Sequence, residues 1–175
     1  MKNTVTIFFL FLTSLLLGQE GVFTSIESGF SVYFEKEPYL ETQAIDTEVG
    51  KIDINMFMVQ GVSDLFMVSE NKYPESMIDF NNKDAATNTI EGAIAGIYNT
   101  MAEGTGQEPK ITAQEYFKFN DQYHAMRSIG KAGNLHVQTF VLLKGNIMYQ
   151  VICVGISKPS DPEVAAKFFS SFKLI

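Results

Sequence analysis

The stretch GNIMYQVICVGISKPSDPEVAAKFFSSFKLI, residues 145–175, decides the fold of this chain. In its first half, Tyr149 and Val151 alternate with Met148 and Ile152, so both faces of an extended strand are apolar. A strand that is apolar on both faces needs cover on both sides. The pattern therefore predicts a central strand that is sandwiched between two layers.

The second half of the same stretch predicts a helix that packs on the sheet. Ser160 and Glu163 have the spacing of a capping box, and Pro162 suits the first turn. Phe168 and Phe172 lie one turn apart and form an apolar stripe. We expect both rings to be buried against this strand, although the sequence does not choose the face.

Strands are also predicted upstream. Residues 19–28 are expected to be loose, and a short strand covers Phe30–Phe34. A hairpin turns at Val49-Gly50, which places Asp46 opposite Asp53. Two facing carboxylates would form a weak cation site or, as we prefer, a solvated acidic face.

After a third strand that ends before Pro74, the apolar period changes from two residues to that of a helix. Ile90, Ile94 and Ile97 recur at helical spacing, and Gly104 ends the helix.

Four further strands follow between residues 110 and 156. They are joined by turns at Asn120-Asp121, Ala132-Gly133 and Gly145-Asn146. If each turn has two residues, one row across the sheet contains Gln114, Arg127, Gln138 and Cys153.

The predicted fold class is α+β, an antiparallel β-sheet flanked by helices on both faces. Residues 19–175 are long enough for a single domain with a substantial core.

Residues 1–18 have the pattern of a cleavable signal peptide. Lys2 is the only charge, and the apolar run is too short to span a bilayer. We expect cleavage after Gly18. No lipid-anchoring cysteine follows, so we expect a periplasmic or secreted protein with no membrane span after processing, either a monomer or a weak oligomer.

The charge balance argues against a nucleic-acid partner. Without residues 1–18 the chain has 12 basic and 20 acidic residues, a formal charge of −8. An acidic surface repels a phosphate backbone, and no basic stripe with interleaved aromatic residues overrides it.

The sequence contains no motif for catalysis, metal binding or a cofactor. In the predicted register His124 and His136 lie on opposite faces, so they cannot share a zinc ion. Cys153 is expected to be buried, and no histidine lies beside it to activate a thiolate. We therefore predict that the protein is not an enzyme and that it needs no cofactor.

The row that contains Arg127, Gln138 and Gln114 is the candidate binding site. An arginine on a sheet that is covered by a helix could bind a carboxylate in a pocket. The simpler interpretation is an ion pair or an exposed arginine at the sheet edge.

Several framework stretches resemble the exported bacterial domains related to PsbP and Mog1, which include the envelope protein DcrB. The stretches are Phe30-Ser-Val-Tyr-Phe34, Asp46-Thr-Glu-Val-Gly-Lys51, Tyr73-Pro74, Gly145-Asn-Ile-Met-Tyr-Gln150 and Phe168-Phe-Ser-Ser-Phe172. The resemblance covers roughly residues 30–174. It implies an antiparallel sheet with helices on both faces and a binding or accessory role rather than catalysis.

Three functions follow as alternatives. The first is an exported, non-catalytic accessory or protein-interaction domain of the bacterial cell envelope, with an unknown envelope partner. The second is a binder or carrier of a small apolar or carboxylate ligand in a pocket between sheet and helix. The third is a hydrolase without a recognisable motif. A cavity of about 300 Å³ or more under a helix would favour the second.

Overall fold

The computed structural model describes residues 21–48, 50–75 and 81–175. The predicted signal peptide, residues 1–18, lies outside the described residues.

A seven-stranded antiparallel sheet forms the centre of the molecule. The first two strands of the chain belong to a smaller sheet, so numbering in the large sheet starts at β3. Its strands are β3 (Tyr39–Thr47), β4 (Gly50–Gln60), β5 (Asp64–Lys72), β6 (Lys110–Phe119), β7 (Tyr123–Ala132), β8 (Leu135–Lys144) and β9 (Ile147–Ile156). Their order across the sheet is β3-β4-β5-β9-β8-β7-β6. The strand predicted to be central, β9, is the fourth of the seven, which confirms the inference from its two apolar faces.

A smaller antiparallel sheet packs on one face of the large one. It consists of β1 (Val22–Ser25), β2 (Phe30–Tyr33) and β10 (Lys173–Leu174), in the order β1-β2-β10. The expectation that residues 19–28 are loose is therefore wrong for β1. This strand is held because the Phe23 ring packs against Phe30, Phe34 and Phe57.

Two helices complete the described fold. Helix α1 (Lys83–Ala102) is capped by Asn82, whose side chain accepts hydrogen bonds from backbone N–H groups of the first turn. Helix α2 (Pro162–Ser171) is capped by Asp161, whose carboxylate accepts hydrogen bonds from the backbone N–H groups of Glu163 and Val164. The predicted Ser160–Glu163 capping box is therefore wrong, because Asp161 takes the capping position.

Each face of the large sheet has its own apolar core. On one face, Ile90, Ile94 and Tyr98 of α1 pack with Met148 and Ile152 of β9. On the other, the small sheet and α2 pack on the opposite face of β9. That core is rich in aromatic rings and contains Phe30, Phe57, Phe140, Tyr149, Phe168 and Phe172. Phe168 and Phe172 are both buried, as predicted, and they lie on the face of Tyr149 and Val151.

The predicted α+β class, with helices flanking both faces of the sheet, is wrong. The described fold is β-rich, with strands in two sheets and only two helices. The layer over the aromatic core is only partly helical, because β1, β2 and β10 form a sheet there beside the ten-residue helix α2. The sequence did predict the need for cover on both faces, but it did not show that residues 22–25 supply part of that cover as a strand.

The predicted register of the first hairpin is also wrong. Asp46 pairs with Lys51, and Asp53 pairs with Ala44, so the two aspartates do not face each other. The Lys51 ammonium lies 2.8 Å from the Asp53 carboxylate instead. Gly50 belongs to β4, where it pairs with Thr47. Glycine suits this position because φ is 128° and a Cβ atom there would lie 2.7 Å from the Pro74 ring.

Candidate ligand-binding groove

A cavity lies between the large sheet and α2, on the aromatic face. It has a volume of about 600 Å³, and residues of β6, β7, β8, α2 and β10 line it. It exists because the small sheet and α2 cover the middle of the large sheet but leave part of its β6–β7 side uncovered. Ile129 of β7, which is 52% exposed, marks this uncovered side.

Phenylalanine rings form the apolar walls of this groove. They belong to Phe117, Phe119, Phe140, Phe169 and Phe172. Phe140 is in ring contact with each of the other four, with centroid distances of 5.4 to 6.2 Å. The groove is therefore continuous with the aromatic core, and an apolar group that entered it would bury surface against rings that are already packed.

Arg127 places a positive charge at the edge of these rings. Its guanidinium lies 4.5 Å from the centroid of the Phe117 ring, so the planar cation covers an aromatic face. Across the strands, Arg127 lies opposite Glu115 and Phe140. Among the described residues no carboxylate forms an ion pair with it. The guanidinium thus keeps N–H donors for a ligand, and Lys173 adds a second cation to the lining.

The structure brings together two of the three residues that the sequence singled out. Gln138 lines the same groove as Arg127, but it pairs with Ile129 and Cys153, so it lies two residue pairs from Arg127 along the strands. Gln114 pairs with Ser128, is exposed, and lies on the opposite face of the sheet. The predicted row of four residues is therefore wrong except for the pair of Gln138 and Cys153.

The other residues considered for chemistry are separated from this groove. Cys153 is buried, and burial raises the pKa of its thiol to about 11. His124 pairs with Lys118, whereas His136 pairs with Lys131, so the two imidazoles lie on opposite faces, as expected. Within the described ranges, no group of three or more histidine, cysteine, aspartate or glutamate side chains is placed to share a metal ion.

Sequence reasoning missed most of the groove lining. Phe117 and Phe119 alternate along β6, which is the signal for one apolar face, but they were not connected to Arg127. No sequence pattern pointed to Lys173 as a groove residue. It follows α2 along the chain and is placed at the groove by the pairing of β10 with β2.

Comparisons with known proteins do not place this chain in a family. No protein-family model matches it, and no curated protein matches it significantly. The resemblance to the PsbP and Mog1 domains stays a prediction. No helix in the described ranges is long and apolar enough to cross a membrane.

Proposed function

We propose that this protein is a non-catalytic binding domain of the bacterial cell envelope, whose groove holds an apolar ligand that carries a carboxylate. One observation carries the proposal. The Arg127 guanidinium and five phenylalanine rings line a single cavity of about 600 Å³. That volume lies within the range of small-molecule sites, which is roughly 300–1,000 Å³.

The charge of the groove supports an anionic head group. The whole chain has a formal charge of −7, yet the described lining contains Arg127 and Lys173 and no acidic residue. A guanidinium can donate two parallel hydrogen bonds to a carboxylate. Because Arg127 already stacks on Phe117, its orientation is partly fixed before a ligand arrives.

The walls support an apolar body for the ligand. An alkyl chain or aromatic ring in contact with Phe119, Phe140 and Phe169 would leave water without giving up hydrogen bonds. Gln138 and Ser170 on the lining can bond to a polar group at one end of such a ligand.

A second candidate function, a protein-interaction domain, is favoured by the edge strand β3. This strand pairs on one side only, with β4, and its residues are exposed over nearly its whole length. Tyr39, Leu40 and Ile45 are exposed apolar side chains on it. An extended segment of a partner could pair with such an edge.

The envelope location rests on the sequence of residues 1–18. Their apolar run with a single lysine is typical of a signal peptide, and an exported protein would meet ligands of the periplasm or the cell exterior.

Calorimetric titration of the purified protein with decanoate and with 1-decanol tests the groove. We expect decanoate to bind more tightly, and Arg127→Gln to weaken decanoate about tenfold or more while leaving decanol nearly unchanged. A hydrogen bond to a charged group contributes about 1.5–3 kcal/mol, which sets this scale. Lys131→Gln is the matched control, because Lys131 is exposed on the same strand and does not line the groove.

A second pair of variants tests the position of the ligand. Ala166 is exposed on α2 and lines the groove, so Ala166→Trp should fill it and abolish binding of both ligands. Ala95, exposed on α1, provides the control Ala95→Trp. Failure of the parent protein to bind decanoate would reject the proposal and favour the protein-interaction candidate. Equal affinity for decanoate and decanol would reject the role of Arg127.

A further inference from the structure

A second polar site lies on the other face of the sheet, beside the start of α1. The Lys118 ammonium is 3.0 Å from Nε2 of His124, and Nδ1 of His124 is 2.8 Å from the Tyr116 hydroxyl. The Lys83 ammonium lies 5.1 Å from the centroid of the Tyr116 ring. We refer to these four residues, Lys83, Tyr116, Lys118 and His124, as the lysine–histidine cluster.

The contacts indicate which tautomer the neutral imidazole of His124 adopts. An ammonium group can only donate, so Nε2 of His124 must accept the hydrogen bond from Lys118. The ring proton is then on Nδ1 and is donated to the Tyr116 hydroxyl oxygen. Lys118 gives a second hydrogen to the carbonyl oxygen of Gln122, which leaves it one further donor.

The cluster carries an excess of positive charge. Burial lowers the pKa of His124, and the charges of Lys118 and Lys83 lower that pKa further. The His124 ring faces Tyr116 and Lys118 of β6 and Lys83 of α1. Leu143 of β8, which lines the same cavity as His124, is uncharged. Among the described residues neither lysine forms an ion pair with a carboxylate. Two ammonium groups near a buried imidazole repel each other and any added proton, although acidic residues are abundant elsewhere in the chain.

A cavity opens onto two residues of this cluster, Lys118 and His124. Its volume is about 460 Å³, and its described lining includes Lys118, Gln122, Tyr123 and His124. Among the residues that the structure describes, this lining contains donor groups and no carboxylate. Its described lining contains none of the phenylalanine rings of the first groove and offers charge and hydrogen bonds instead.

We propose that the lysine–histidine cluster is a binding site for a small oxyanion of the phosphate class. The anion accepts the free hydrogen of Lys118 and lies within the field of Lys83. Its negative charge offsets the repulsion between the two lysines and a protonated His124. A bound phosphate therefore raises the pKa of His124, and by linkage phosphate binds more tightly as the pH falls through that pKa.

The test is an NMR pH titration of the two histidine C2–H resonances, with and without inorganic phosphate at constant ionic strength. We expect saturating phosphate to raise the pKa of His124 by about one unit, which corresponds to about tenfold tighter binding to the protonated form. His136 is an internal control, because it lies on the opposite face of the sheet and outside this cavity.

Variants distinguish phosphate binding at the cluster from a general screening of charges by the added ions. Lys118→Gln should raise the pKa of His124 in the absence of phosphate and reduce its response to phosphate. Lys83→Gln, at an exposed position, should have the same effects to a smaller extent and remains informative if Lys118→Gln does not fold. Phosphate that moves both histidines equally, or that leaves His124 unchanged, would overturn the proposal. Decanoate binding is measured at the other face, so either site can fail alone.

Discussion

Tyr149 lies at the centre of the aromatic core, where its hydroxyl donates a hydrogen bond of 2.8 Å to the carbonyl oxygen of Ser28. The residue is 1% exposed. Burial raises the pKa of this hydroxyl to about 12, and the nearby Glu70 and Tyr123 add to the effect. This single side chain therefore connects β9 to the turn between β1 and β2, and it does so only while it stays protonated.

We predict that Tyr149 makes the stability of the protein fall in strong alkali. The unfolded chain releases this proton near pH 10 and the folded protein near pH 12, so the contribution is complete below pH 10 and is lost between those values. A shift of this size corresponds to about 2–3 kcal/mol. Urea unfolding at pH 8, 10 and 11.5 should show a smaller alkaline loss for Tyr149→Phe than for the parent. Parallel losses in the two proteins would contradict the prediction.

At the scale of the elements, the apolar periods predicted most strands and both helices, because burial sets those periods whatever the turns do. Turn composition did not fix the register. The turn at Asn120-Asp121 includes Gln122, so Phe119 pairs with Tyr123, and this shift by one residue moves Gln114 to the other face. The turn between β7 and β8 is also misplaced, but that error shifts the register by two residues and keeps Arg127 and Gln138 on the same face.

Helix α2 provides the prediction at this scale. The centroid of the Phe168 ring lies 5.2 Å from that of Phe66 and 5.5 Å from that of Phe34, so it joins α2 to the large sheet and to the residue that follows β2. Phe168→Ala should lower the free energy of unfolding by about 3–5 kcal/mol. Asp161→Ala should cost about 1 kcal/mol through loss of the cap.

Ser160→Ala is the matched control for that cap. The Ser160 hydroxyl is buried beside the Cys153 thiol and makes no hydrogen bond of ordinary geometry with the described residues, so its removal should be nearly neutral. Urea denaturation of the three variants beside the parent gives the comparison. A larger loss from Ser160→Ala than from Asp161→Ala would restore the capping box, and a small effect of Phe168→Ala would show that α2 is not part of the core.

At the scale of the whole molecule, the covers on the two faces of the sheet are offset. Helix α1 packs on β7 and β8 on one face, whereas the small sheet and α2 cover the middle strands on the other. The phenylalanine groove opens on the side that the second cover leaves bare. The position of the groove therefore depends on β1, β2 and β10, which the sequence showed only in part.

The final prediction joins this architecture to export. Cleavage after Gly18 would leave Gln19 as the first residue, two residues before Gly21, whose carbonyl oxygen accepts a hydrogen bond from the Phe34 backbone N–H. Processing there keeps β1 and the Phe23 ring, which lies 5.3 Å from the Phe57 ring. We expect mass spectrometry of the exported protein to give a chain that begins at Gln19. We also expect a chain that begins at Ser28 to lose several kcal/mol of stability, because it lacks β1 and the buried part of Phe23. Retention of residues 1–18, or a Ser28 chain as stable as the Gln19 chain, would contradict this account of how the N-terminal strand closes the fold.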